Sequence, residues 1–150
     1  MRRAWQIAGL GLLLCSVAWA KSDGLGNLRN RADNAQGGEK AKLSVQYARA
    51  ELEHANDLFT KGDVDEAQAA VSEVMEYIRK GASAAKSSGK RLKQTEIELR
   101  ELEKRMRDIS ASLNLEDRPP LNRSVDEIEQ IRATLLAAMF GDRAEPKSKS

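Results

Sequence analysis

His54 is the only histidine in the chain, and Glu51-Leu52-Glu53-His54 has the E-x-x-H spacing with which di-iron helix bundles set a carboxylate and an imidazole on one helix face. Such a centre needs a second copy of the motif and two further carboxylates, so a lone histidine does not complete it. With Asp57 one turn on, a weak surface metal contact is the most these residues offer, and a solvated helix face is the simpler reading. Nucleophilic catalysis also lacks its parts. Ser87 and Ser88 cluster in a loop and Ser124 stands at a helix start; none lies in a G-x-S-x-G elbow, and one histidine is the only candidate base. The many carboxylates are interspersed with Arg and Lys on helical faces, not gathered in a cleft that would shift their pKa values. Gly24-Leu25-Gly26 follows no strand, so it is not a phosphate loop. The expectation is a protein that is not an enzyme and has no cofactor or metal.

Binding surfaces are better represented. Arg79, Lys80, Lys86, Lys90, Arg91 and Lys93 form the densest basic cluster, flanked by Glu76 and Glu96 alone. An anionic surface, a lipid headgroup or a cell-wall polymer, could dock there. No aromatics interleave, which weighs against single-stranded nucleic acid. Leu135 to Phe140 is apolar all round. Leu135 and Met139 continue a core stripe while Leu136 and Phe140 point elsewhere, so either the fold wraps this end or a partner, including a second copy, covers it.

The N-terminus has the parts of a secretory signal peptide over residues 1–20. Arg2 and Arg3 precede an apolar run from Ile7 to Val17, and Ala18-Trp19-Ala20 supplies small-x-small spacing for cleavage after Ala20, or after Ala18. The run falls short of the roughly 20 residues a span requires, so no transmembrane segment is expected after cleavage. The leader would take with it both tryptophans, the single Cys15 and two of the 25 basic residues, leaving 23 cations against 23 carboxylates. A neutral remainder argues against nucleic acid as the ligand. Without cysteine there is no disulfide framework and no thiolate metal site.

The elements that must position these residues are helical. Ala41, Val45, Ala48, Leu52, Ala55 and Phe59 recur at steps of three and four, as do Val64, Ala67, Val71, Val74, Ile78, Ala82 and Ala85. A third stripe is Leu92, Thr95, Leu99, Leu102, Met106, Ile109 and Leu113, and a fourth is Val125, Ile128, Ile131, Leu135 and Met139. No segment alternates with period two, so no sheet is expected. Gly62 ends the first helix; Asp63 with Glu66, and Ser124 with Glu127, read as capping boxes opening the second and fourth. Ser87-Ser88-Gly89 marks a break or a kink, Pro119-Pro120 a stretch outside any helix, and Gly141 a C-terminal stop. Glu96–Arg100, Glu101–Arg105 and Glu103–Arg107 are (i, i+4) pairs on a face read as solvated. A parallel coiled coil through this third helix would set Glu98 against Glu103 of its mate, so packing within the chain is preferred. Residues 21–38, with Gly24, Gly26, Gly37 and Gly38 among Asn and Asp, read as a flexible linker, and 142–150 as a polar tail.

Ala55 to Ala67, with Gly62-Asp63 at its centre, resembles the turn of a tetratricopeptide hairpin, which implies a helix-turn-helix unit; the period does not recur. Gly89 to Ile97, Leu115 to Leu121 and Leu135 to Gly141 are similar to stretches of small secreted proteins of soil bacteria such as acidobacteria, a resemblance that implies no activity. The whole reads as all-α: a three- or four-helix antiparallel up-and-down bundle over 39–141. Its expected role is that of a periplasmic or secreted interaction or scaffold module, with an unknown envelope protein or itself as partner. An electrostatic binder of anionic envelope surfaces is the alternative.

Overall fold

The computed structural model describes residues 16–141, with side chains from residue 23 onward. It is all-helical, with five helices and no strand among the described residues: α1 Ser16–Asn34, α2 Gly37–Lys61, α3 Val64–Ser88, α4 Leu92–Ser112 and α5 Arg118–Gly141. Successive helices run antiparallel. Cross-helix pairs such as Arg79–Glu127, Arg49–Glu101 and Arg105–Glu53 show that α3 runs parallel to α5, and α2 to α4. Helices α2 to α5 form a four-sided bundle, and α1 packs along α2, reaching α3 through Arg29–Glu73 and Asp33–Tyr77.

Helix α1 overturns the expectation of three or four helices and of a linker at 21–38. Leu25, Leu28, Ala32 and Ala35 recur at steps of three, four and three and pack against the core, Ala32 fully buried. The covered surface is a second face of α2 and α3, where Leu43, Ser44, Tyr47, Glu51, Tyr77 and Ala84 are buried in addition to the expected stripes. Only Ala35 and Gln36 separate α1 from α2. Residues 1–15 and 142–150, and with them most of the expected leader and the expected polar tail, lie outside the described residues.

The α2–α3 pair is the tightest in the bundle. Many of its buried residues are alanine, and the helices approach closely at Gly81: a Cβ there would stand 3.0 Å from Val45 Cγ2 and 3.3 Å from the Ala41 carbonyl oxygen. The turn between them is a Schellman motif. Gly62 adopts φ +85, its N–H donates to the Phe59 carbonyl, and the Asp63 N–H donates to the Leu58 carbonyl. Asp63 is the residue before α3, as expected, but its side chain makes no capping hydrogen bond.

Ser87 and Ser88 are the last two residues of α3, not part of a loop, and the chain then turns, not kinks, at Gly89, which is left-handed at φ +64. The start of the last helix differs from expectation. Pro119 and Pro120 lie inside the first turn of α5, where the first four N–H groups have no helical acceptor and proline forfeits nothing. Ser124 is therefore interior; its hydroxyl donates to the Pro120 carbonyl, and Glu127 pairs with Arg79 instead of closing a capping box. Arg118 ties the two helices, its guanidinium donating to the Leu113 and Ala111 carbonyls at the end of α4.

Candidate functional site

Three polar constellations and one mixed surface stand out. The first overturns the solvated face assigned to α4. Glu96 and Glu103 are buried, each side chain 4% exposed. Arg132 of α5 lies between them: Nε and Nη2 donate to Glu96 Oε1 at 3.1 and 2.9 Å, and Nη1 donates to Glu103 Oε2 at 2.5 Å. Arg100 closes on Glu96 at 2.9 Å, and Arg107 joins Glu103 at 2.6 Å and also Glu129. Three carboxylates thus meet three guanidiniums. Burial alone would push the Glu96 carboxyl up, but hydrogen bonds from Arg132 and Arg100 outweigh it and hold the group below its ordinary range. Two of the three expected (i, i+4) pairs form. The third does not: Glu101 pairs with Arg49 and Arg105 with Glu53, both across to α2.

The second constellation lies under α1. The Tyr47 and Tyr77 rings stand 4.3 Å apart at 56°. Tyr77 donates to Asp33 at 2.9 Å and Tyr47 to Glu73 at 2.8 Å, while Lys80 sits 4.2 Å above the Tyr77 ring and bonds Asp33 and Glu76. Burial favours the protonated form of Asp33, but donation from Tyr77 and Lys80 wins and lowers its pKa. Glu51, beside Tyr47, goes the other way: burial raises its pKa and the Glu73 charge adds to the shift. Glu51 is therefore not on a solvated face. His54 is exposed, and no group of three or more metal-ligating side chains occurs among the described residues.

The third constellation is the basic cluster, which the structure divides. Arg79 faces α5 and pairs with Glu127, and Lys80 faces α1. Lys86, Lys90, Arg91 and Lys93 stay together around the α3–α4 turn. Arg91 adopts φ +63, unusual for a side chain with a Cβ, and bonds Glu98 at 3.3 Å. Lys86, Lys90 and Lys93 form no ion pair among the described residues.

The mixed surface joins this turn to the end of α5. Arg132, Leu136 and Phe140 are spaced by four, so the latter two continue the face that Arg132 turns toward α4. Because α5 is antiparallel to α4, that face leads to the start of α4. There Leu92, Ile97 and Met139, with Arg91 and Lys93 beside them, line a shallow depression of about 640 Å3. Leu136 is 37% exposed and Phe140 58%, whereas Leu135 is fully buried. Two further depressions of about 510 Å3 each follow the α3–α5 seam on either side of Arg79.

No family model, curated protein or solved structure matches the chain. Among the described residues no helix is long and apolar enough to cross a membrane. The apolar floor of the mixed site escapes a sequence reading because Leu92 and Met139 count there as ends of core stripes. Ile97 falls outside every stripe; its four-residue offset from Lys93 is the one signal that sets it beside the basic cluster.

Proposed function

We propose that this chain is an exported, non-enzymatic helical module of the bacterial cell envelope that works by binding a protein partner at one end of its bundle. The observation that carries the reading is the exposure of Leu136 and Phe140 at the end where Lys86, Lys90, Arg91 and Lys93 converge. Large apolar side chains ringed by polar groups are the usual mark of an interface. Export is supported by the basic start, apolar run and Ala-Trp-Ala of residues 1–20. In the test, Leu136→Asp and Phe140→Asp leave the helical circular dichroism unchanged but abolish crosslinking to an envelope protein. Undiminished crosslinking from both variants refutes the reading.

A second reading, docking on an anionic lipid or cell-wall surface, draws on Lys86, Lys90 and Lys93, which form no ion pair among the described residues. It requires that binding to anionic vesicles fall steeply with salt and vanish when Lys86, Lys90 and Lys93 become Gln. Arg79 and Lys80, included in the basic cluster on sequence grounds, are not expected to contribute, since both are engaged within the bundle.

A further inference from the structure

The bundle is electrically polarised along its axis. At one end Lys86, Lys90, Arg91 and Lys93 are joined by Lys40 and Lys42 from the start of α2, with Glu39 opposing them and Glu98 paired to Arg91. The two groups are neighbours: a Cβ on Gly38 would stand 3.2 Å from the Lys90 Cβ. At the other end the α2–α3 and α4–α5 connections carry Asp63, Asp65, Glu66, Asp108, Glu116 and Asp117. The opposing cations there are Lys61, Arg107, Arg118 and Arg123, of which Arg118 is tied to the α4 carbonyls and Arg107 to Glu103 and Glu129. Apolar groups follow the same polarity. The large hydrophobic residues exposed among the described residues are Leu136 and Phe140 at the basic end and Leu115 at the acidic end. Leu115 is 81% exposed beside Glu116 and Asp117, and the basic end offers the Leu92–Ile97–Met139 depression beside Lys93.

We infer that the chain associates head to tail with copies of itself, Leu115 of one copy seating in the Leu92–Ile97–Met139 depression of the next while Glu116 and Asp117 face Lys90 and Lys93. This rests on the reading of the basic, apolar end as an interaction surface and names its partner. Opposite charges at opposite ends favour this heterologous contact. A two-fold contact at either end would set like charges against each other. An anionic bilayer would satisfy the basic end but gives Leu115 and the acidic end no role. A head-to-tail contact does not close on itself, so it builds linear chains. Helices about 10 Å across give a bundle end of roughly 400 Å2, about half the area per partner of a standard stable interface. The contact is accordingly weak, concentration-dependent and sensitive to salt.

The test uses the full chain as its producing host processes it, in sedimentation velocity over a concentration series at low ionic strength and again at about 1 M salt, where screening shortens to about 3 Å. A rising series of multimers that collapses in salt is expected. Glu116→Lys with Asp117→Lys, and separately Lys90→Glu with Lys93→Glu, each weaken self-association about tenfold or more. Mixing the two reversed variants restores it, because every contact between unlike copies is again complementary. Failure of the mixture to associate overturns the inference, as does undiminished association of either variant alone. A chain monomeric at every concentration also overturns it, even if it binds anionic vesicles. If self-association is absent while Leu136→Asp still abolishes crosslinking to an envelope protein, the head-to-tail contact has failed and the proposed interaction end has not.

Discussion

Replacing Arg132 with Met removes the one guanidinium that bridges Glu96 and Glu103, and the consequence follows from their burial. Both carboxylates have side chains 4% exposed, and Arg132 supplies three of their hydrogen bonds. Arg100 and Arg107 remain, but each is more than half exposed and reaches its carboxylate from the outside. Breaking a buried ion pair from one side costs about 3–5 kcal/mol. With these residual partners the lower figure applies, about 3 kcal/mol at neutral pH. For a domain of this size that lowers the melting temperature by roughly 10–20 °C. The pH dependence identifies the cause. In the parent, the folded pKa of Glu96 lies below its ordinary value. Its contribution is therefore complete above about pH 4.3 and is lost as pH falls through the folded pKa. Without Arg132 that depression is weakened, so the gap between parent and variant is widest at neutral pH and narrows in acid. Urea unfolding followed by circular dichroism at pH 7 and pH 3.5 measures both. Glu96→Gln and Glu103→Gln added to Arg132→Met are expected to recover most of the loss, since no buried charge is then left uncompensated. A cost under about 1 kcal/mol, or a gap that does not change with pH, would refute the reasoning.

Gly81→Val drives a branched side chain into buried Val45 and the α2 backbone, and is expected to cost about 2 kcal/mol or more in the same unfolding assay, despite valine's better helix propensity. Glu51→Gln is expected to raise stability at pH 7. The folded pKa of Glu51 is raised, so its charge is unfavourable once pH exceeds that value, and the benefit should disappear as pH falls toward the ordinary glutamate range. Asp33→Asn weakens the hold of Tyr77 and Lys80 on α1 and should speed amide exchange over residues 23–34 about tenfold, leaving α4 protected. Since the Asp33 pKa is lowered, the parent's α1 should loosen as pH falls through the folded pKa, and the variant should lack that transition.

The apolar stripes of α2 to α5 are legible in the sequence because Ala41 to Phe59, Val64 to Ala85, Leu92 to Leu113 and Val125 to Met139 keep a helical period; most of these residues are buried, and Phe59, Val64, Leu92, Leu113, Ile131 and Met139 are half-buried. Helix α1 is not legible in the same way. Gly24, Gly26, Asn27, Asn30 and Asn34 favour turns in isolation, and they mask Leu25, Leu28, Ala32 and Ala35. Tertiary contact decides the matter, through burial of Ala32 and the hold of Tyr77 and Lys80 on Asp33. The ion pairs divide for a related reason. A partner one turn away and one across a helix seam are worth similar amounts, so whether Arg105 takes Glu101 or Glu53 depends on where α2 lies. The cluster from Lys86 to Lys93 is legible because it spans a single turn. Its meeting with Leu136 and Phe140 is not, because that depends on α5 returning antiparallel to α4.

The central proposal, that the end of the bundle bearing Leu136 and the α3–α4 lysines is where this protein meets its partner, is tested most directly by photo-crosslinking in the cells that produce it. A photoreactive residue is placed at position 136 and, as a control, at the exposed mid-helix position of Lys104. A discrete adduct from position 136 and none from 104 is expected, with the crosslinked peptide mapping to the Leu115 loop of a second copy if head-to-tail stacking is its basis. No adduct from 136, or equal adducts from both positions, would contradict it.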